Sequence, residues 1–304
     1  MSTTSSPARP VPAPAVETRP DRPLAAAALI FFASAVVAGT TVLAKALGTD
    51  ALGEPVHPLQ VAQGRFIFAL LTLCVILPFV RPQLTRPNLP LHCVRVTCGF
   101  TTVVLLFAAA TMIPLSDATA ISFLSPIVTM VLAAPFLGER VGVYRWVAAG
   151  IAMTGAVVLF RPGADAVAFG AVLALGSALA MGLELTLIKR LTRREGPWQI
   201  LIMSNLLGTI ISTVAVLAVW QMPTGAQWKA MMALGSLMLL AQFCYVQAMR
   251  LADASFVAPV AYTTLVFAAL YDIIIFAEWP DTASVIGASL ILVGALVLTT
   301  RARR

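Results

Sequence analysis

Met112-Ile-Pro-Leu-Ser-Asp117-Ala118 and Ala248-Met-Arg-Leu-Ala-Asp253-Ala254 are two copies of one segment, 136 residues apart. Each copy leads into a long apolar run and then a glutamate, Glu139 or Glu278. A second apolar run follows, in which Ala149, Gly155, Ala156, Val158 and Leu159 return as Ala288, Gly294, Ala295, Val297 and Leu298. From the glutamates onward the offset is 139, so the second copy has gained about one helical turn. A weaker correspondence carries the duplication toward the N-terminus: Pro58 and Gln60 against Pro197 and Gln199, Gly99 against Gly235, and Lys45 against Lys189. Duplication of a strongly apolar unit, with one copy flipped across the bilayer, is a common architecture of membrane carriers.

Composition agrees with a membrane setting. Hydrophobic residues make up 60% of the chain, charged residues 11%, and the mean hydropathy is +0.93; a soluble domain carries roughly a quarter charged residues. Residues 1–23, rich in Pro and Ser, read as a disordered cytoplasmic tail. Ala33-Ser34-Ala35 resembles a signal cleavage site, but the apolar run around it is too long and reads as a retained helix. Ten spans follow the tail: 24–44, 58–80, 94–113, 118–138, 141–160, 167–188, 198–220, 230–249, 254–276 and 282–300, each near the ~20 residues a helix needs to cross a bilayer. Turn residues or charges separate them, as in Arg81-Pro82, Gly138-Glu139-Arg140 and Arg161-Pro162-Gly163. Span five holds Arg145 near its start, and that side chain is expected to snorkel toward the headgroups.

The net charge of +7 sits in short clusters between spans, which excludes a nucleic-acid face and points to orientation signals. Sixteen Lys and Arg residues, Arg95 among them, fall on the side of the N-terminal tail; the opposite loops hold Lys45, Arg161 and Lys229 with most of the acidic residues. Both termini are therefore expected in the cytoplasm. Five spans per copy is an odd number, so the second copy must lie upside down. The fold expected is an all-α integral membrane protein of ten transmembrane helices in two inverted five-helix repeats, residues 24–161 and 166–300. The four cysteines form no metal-ligand spacing and read as small buried thiols.

The segments Pro114-Leu-Ser-Asp-Ala-Thr-Ala-Ile-Ser-Phe-Leu-Ser-Pro126 with Phe-Leu-Gly-Glu139, and Arg250-Leu-Ala-Asp-Ala-Ser-Phe-Val-Ala-Pro259 with Tyr262, Glu278 and Pro280, resemble the paired repeats of EamA-type proteins of the drug/metabolite transporter superfamily. The resemblance covers roughly residues 24–300. It implies a carrier of the bacterial inner membrane that works by alternating access around a central cavity. The Phe-Arg161-Pro-Gly163 and Ala258-Pro-Val-Ala-Tyr262 segments look most like the subgroup of riboflavin and S-adenosylmethionine carriers. Riboflavin uptake is the leading substrate expectation; S-adenosylmethionine uptake and amino acid or metallophore export share the scaffold.

Helix breaks and polar residues at membrane depth mark the candidate site. Pro126 behind Ser122 and Ser125, and Pro259 before Tyr262, interrupt repeat-related spans four and nine. Such interruptions are tolerated where they face a cavity or neighbouring helices, and a packing kink is the competing reading. Arg65 lies inside span two, where it could bind an anionic group or pair with Glu184 or Asp272. Those two carboxylates, each about 4 residues from a span end, are the coupling-ion candidates, against simple hydration at an interface. Thr40, Phe100, Phe107, Gln242 and Tyr245 complete the candidate substrate site, with aromatic rings for stacking and amides for hydrogen bonding. Asp117 and Asp253 are expected to cap the helices they precede. Small residues in spans five and ten, such as Gly155 and Gly294, allow close helix contact within the protein or in a homodimer.

There is no phosphate-binding Gly-x-x-x-x-Gly-Lys loop and no recognisable catalytic constellation, with His57 and His92 as the only histidines. No enzyme, cofactor or metal is expected. A non-transporting scaffold or an intramembrane enzyme is the alternative of another class, and the expected partners are a small-molecule substrate and the lipid bilayer.

Overall fold

A computed structural model of the chain describes residues 22–110, 112, 118, 121–160, 169–276 and 282–301. Its helices are α1 (Pro23–Leu47), α2 (Pro58–Val80), α3 (Leu89–Ala110), α4 (Ser125–Leu137), α5 (Val143–Phe160), α6 (Phe169–Thr192), α7 (Pro197–Val216), α8 (Gly225–Leu251), α9 (Ala254–Val260), α10 (Thr263–Phe276) and α11 (Thr282–Arg301). A single 3-10 turn, Asp50–Leu52, joins α1 to α2. Among the described residues, seven apolar runs are long enough to cross a membrane, one of them the joined α9 and α10. Three shorter apolar helices, Ser125–Leu137, Val143–Val158 and Val285–Val297, lie with them.

Local chemistry sets the helix ends. Proline stands at the first turn of α1, α2 and α7, where its missing N–H costs nothing. The Thr224 hydroxyl and the Gln227 side chain form a reciprocal capping box at α8. Gly138 ends α4 in the left-handed conformation (φ 69°), which glycine adopts without strain. The outer faces carry large apolar side chains, such as Phe79 at 84% exposure and Ile274 at 67%. That pattern suits helices solvated by hydrocarbon.

The duplication is visible as symmetric packing. α3 lies on α6 as α8 lies on α1, and α2 pairs with α7 and α5 with α11. Gln60, at the start of α2, holds the chain after α7: its Oε1 accepts from Gln221 N at 3.1 Å and its Nε2 donates to Gln221 O at 2.5 Å. Its counterpart Gln199, at the start of α7, holds the chain after α2 by accepting from Thr85 N at 2.7 Å.

The repeat-related pairs run antiparallel. Gln60 meets Gln221 while Phe66 lies against Gly208; Gly155 meets Gly287 while Gly294 meets Ala148. Likewise Glu139 meets Ala254 while Phe123 meets Tyr262. Helices related by the duplication can run antiparallel side by side only if the pseudo-twofold axis lies across the bundle, and this is the inverted arrangement.

Three expectations need correction. Arg145 does not reach outward: its Nη2 donates to Asp253 Oδ2 at 2.9 Å and its Nη1 to Ser255 Oγ, because the start of α9 brings a carboxylate and a hydroxyl within hydrogen-bond reach. Asp253 therefore does not cap α9. Glu139 does so from the other repeat, accepting from Ala254 N at 2.9 Å, Ser255 N at 3.1 Å and Ser255 Oγ at 2.8 Å. Of the cysteines only Cys244 is buried; Cys74 and Cys93 are exposed on the outer helix faces and Cys98 is half-buried. A thiol is apolar enough to face lipid as readily as a core. Asp117 lies outside the described residues.

Candidate functional site

Both long interrupted spans break at the same level. The α-helical hydrogen-bond ladder is interrupted at Phe123–Leu124 before α4 and at Ala261–Tyr262 between α9 and α10, where the backbone stays right-handed but tightens into i→i+3 turns, as in Leu124 N to Ile121 O and Tyr262 N to Pro259 O. Pro126 sits in the first turn of α4, where it starts a new helix instead of kinking an old one. Tyr262, fully buried, joins the two breaks: its hydroxyl donates to the Phe123 carbonyl at 2.5 Å, and the two rings lie 6.0 Å apart at 30°. A backbone carbonyl at a helix interruption thus finds its partner across the repeat boundary, as the interior of a membrane protein requires.

Beside these breaks is a cavity of about 430 Å³, within the usual range for small-molecule sites. Its walls come from both repeats, mainly apolar side chains of α1, α6, α7 and α8 interrupted by a few polar groups. Ile30, Leu185, Ile188, Ile200, Leu201 and Val246 belong both to the cavity lining and to the main apolar core, so they form its floor toward the face bearing the N-terminus.

The charged part of the wall is Arg65, Arg95 and Glu184. Arg95 Nη2 donates to Glu184 Oε1 at 3.4 Å, and Arg65 lies within electrostatic reach of the same carboxylate. Glu184 packs against Gly99, whose missing side chain leaves it room: a Cβ there would stand 2.8 Å from Glu184 Oε2. Gly235 likewise lets α8 approach the backbone of α2 at Arg65, where a Cβ would stand 2.9 Å from the Arg65 carbonyl. The Arg65 guanidinium rests 4.9 Å from the Phe66 ring centroid.

Of the residues singled out by sequence, Arg65, Ser122, Pro126, Glu184, Gln242, Tyr245 and Tyr262 line this cavity. Thr40 is buried in α1, where its hydroxyl donates to the carbonyl of the lining residue Val37 at 2.7 Å, but Thr40 itself does not line the cavity. Phe100 is half-buried outside the lining, and Pro259 is buried in α9 one turn before the break. The side chains of Phe107 and Asp272 lie outside the described residues.

The sequence places Arg95 among the charges flanking span three and Glu184 about 4 residues from the end of span six. α3 begins at Leu89 and α6 runs to Thr192, so both lie deeper than those readings placed them. The helical spacing of His92, Arg95 and Gly99 is the signal that could have shown a polar face on α3.

A polar layer at the N-terminal face ties the repeats together below the floor. Besides the Glu139 cap and the Arg145–Asp253 pair, Lys189 Nζ donates to Met249 O at 2.7 Å and to Ala252 O, and Arg193 Nη2 to Leu137 O at 2.6 Å. His92 Nε2 lies 2.8 Å from Glu195 Oε2, and Glu195 also accepts from Asn88 N and Gln199 Nε2. By sequence several of these basic residues are orientation signals. They are also the mortar of this face.

Two inverted repeats around a cavity beside paired helix breaks are an arrangement common among membrane transporters. The profile of the EamA-like transporter family matches residues 24–161 and again 168–300. The chain belongs to that family and is a small-molecule transporter in a multi-pass membrane setting. It is similar to a riboflavin transporter of Rhizobium johnstonii, at 32% identity over 68% of this chain and 69% of the relative. Similarity extends to an S-adenosylmethionine uptake transporter of Rickettsia felis, at 28% identity over 81% of this chain and 84% of that one. A crystal structure superposes with a TM-score of 0.78 at 22% identity, covering 91% of this chain and 98% of the other, and shows the shared fold.

Proposed function

We propose that the protein imports a small metabolite across the bacterial inner membrane by alternating access, with both termini in the cytoplasm and riboflavin as its substrate. The observation that carries this reading is the cavity beside the two helix breaks, where apolar walls, the rings of Phe123, Tyr245 and Tyr262, and the amide of Gln242 offer stacking and hydrogen bonding to a flat heterocycle. The repeat-related breaks would act as the pivots. The apolar floor and the polar layer beneath it are what must part for release to the inside.

A second reading is favoured by the two arginines in the wall. They suit a substrate bearing a carboxylate, which S-adenosylmethionine, amino acids and metallophores carry and riboflavin does not.

A riboflavin-auxotrophic bacterium lacking its own importer, supplied with micromolar riboflavin, separates the two. Growth is expected with the native chain and is expected to fail with Tyr262→Ala at matched membrane levels. Absence of rescue by well-expressed native chain would remove riboflavin and move the search to the carboxylate-bearing substrates.

A further inference from the structure

We infer that Arg65 and Arg95 form a receptor for an anionic group, a carboxylate or phosphate, on the transported molecule. The inference rests on the second reading above, a cargo bearing an anionic group, since riboflavin itself carries none; the binding of an anion does not depend on that reading.

The charge balance is the first reason. A guanidinium stays protonated in any protein environment, so among the described residues the cavity wall holds two permanent positive charges against the single carboxylate of Glu184. A fixed structural ion pair would need one arginine. Here the only hydrogen bond from either guanidinium to Glu184 is the 3.4 Å contact of Arg95, at the long limit of such bonds.

The hydrogen-bond balance is the second. Arg95 is 5% exposed, yet its Nε and Nη1 have no partner among the described residues; neither has Arg65 Nε, nor the hydroxyl of Tyr245 beside them. Four donor atoms are therefore unmatched at one place in a largely apolar wall. Buried donors without acceptors are costly, and charged groups at membrane depth more so, unless a ligand or water answers them. An anionic oxygen pair supplies acceptors and the missing negative charge together, and the fork of a guanidinium fits a carboxylate or phosphate in two-point fashion. A ligand bearing only positive charge would instead meet an uncompensated cation in surroundings where charge is poorly screened.

The experiment uses the full chain purified in a neutral maltoside detergent. Its melting temperature is followed against inorganic phosphate, with chloride at matched ionic strength as the control. The expected result is a saturable rise with phosphate in the native chain, retained in part by Arg65→Lys and lost in Arg65→Gln and Arg95→Gln. No saturable rise, or an equal rise in both glutamine variants, would overturn the receptor.

Ligand pairs differing only in the anionic group test the same point without any variant. Riboflavin 5′-phosphate is expected to bind about tenfold or more tighter than riboflavin, and S-adenosylmethionine tighter than its decarboxylated form, as the loss of a charged hydrogen bond implies. Absence of preference in both pairs would overturn the inference. A short-chain phosphatidylglycerol titrated in parallel separates cargo from a lipid headgroup: a shift by the lipid exceeding that by phosphate at equal concentration would contradict the assignment to cargo. Retained phosphate binding with no flux of any cargo would defeat the transporter reading and leave the receptor standing.

Discussion

Glu139→Ala is expected to destabilise the protein by about 2–4 kcal/mol, since losing a helix cap costs up to about 2 and each buried donor left unsatisfied about 1–3. The carboxylate is 8% exposed and accepts three hydrogen bonds at the start of α9. Without it, two backbone N–H groups at a helix N-terminus lose their acceptor inside the membrane protein, and the Arg145 guanidinium, held to Ser255 and Asp253, loses a neighbouring negative charge. α9 is the short half of the interrupted span that places Tyr262, so the damage reaches the cavity. Glu139→Gln keeps an acceptor oxygen but no charge and is expected to fall between. Unfolding in mixed micelles reads the difference; an alanine variant within about 1 kcal/mol of native would contradict the assignment of Glu139 as the cross-repeat cap.

Leucine at Gly155 or Gly294 is expected to abolish correctly folded protein. A Cβ at Gly155 would lie 2.6 Å from the Gly287 carbonyl and 2.9 Å from Ile291 N; one at Gly294 would lie 2.8 Å from the Ala148 carbonyl. These neighbours are backbone and cannot rotate away, so α5 and α11 would have to separate along their shared length. Overpacking of this kind costs about 1–3 kcal/mol or more even where side chains can adjust. Gly150, on the same helix as Gly155, has nothing within 4 Å, and Gly150→Leu is the matched control expected to fold normally. Size-exclusion chromatography of the solubilised variants distinguishes them. A monodisperse Gly155→Leu with native stability would show that the α5 and α11 contact is not the close one described.

The reach of the sequence is clearest at the repeat. The paired Asp-Ala motifs, the glutamates and the glycines of spans five and ten are short-range markers whose order survives duplication, and among the described residues Gly155 and Gly294 reappear as matching close contacts between α5 and α11. Even the faint Gln60 and Gln199 match reappears as twin hydrogen bonds to Gln221 and Thr85. What escaped were pairings between distant segments. Asp253 stood in the position of a cap, and local reasoning assigned it one. Glu139, 115 residues before Ala254 in sequence, takes that place, while Arg145 holds the aspartate.

Burial depth was also misread where a helix ended in charges. Lys189 and Arg190 looked like a loop, so Glu184 seemed close to water. The Lys189 ammonium is in fact buried on backbone carbonyls, which allows α6 to continue to Thr192. The same error at the other end of α3 hid Arg95. A charged residue within two turns of a span end can be a headgroup anchor or a cavity wall, and only the helix packed against it decides.

Exchange of radiolabelled riboflavin across proteoliposomes preloaded with unlabelled riboflavin, repeated with S-adenosylmethionine, tests the central claim most directly. The native chain is expected to give saturable exchange of one of the two, abolished by Tyr262→Ala at the paired helix breaks. Folded, correctly reconstituted protein that exchanges neither, or a Tyr262→Ala variant with native rates, would contradict a carrier built around this cavity.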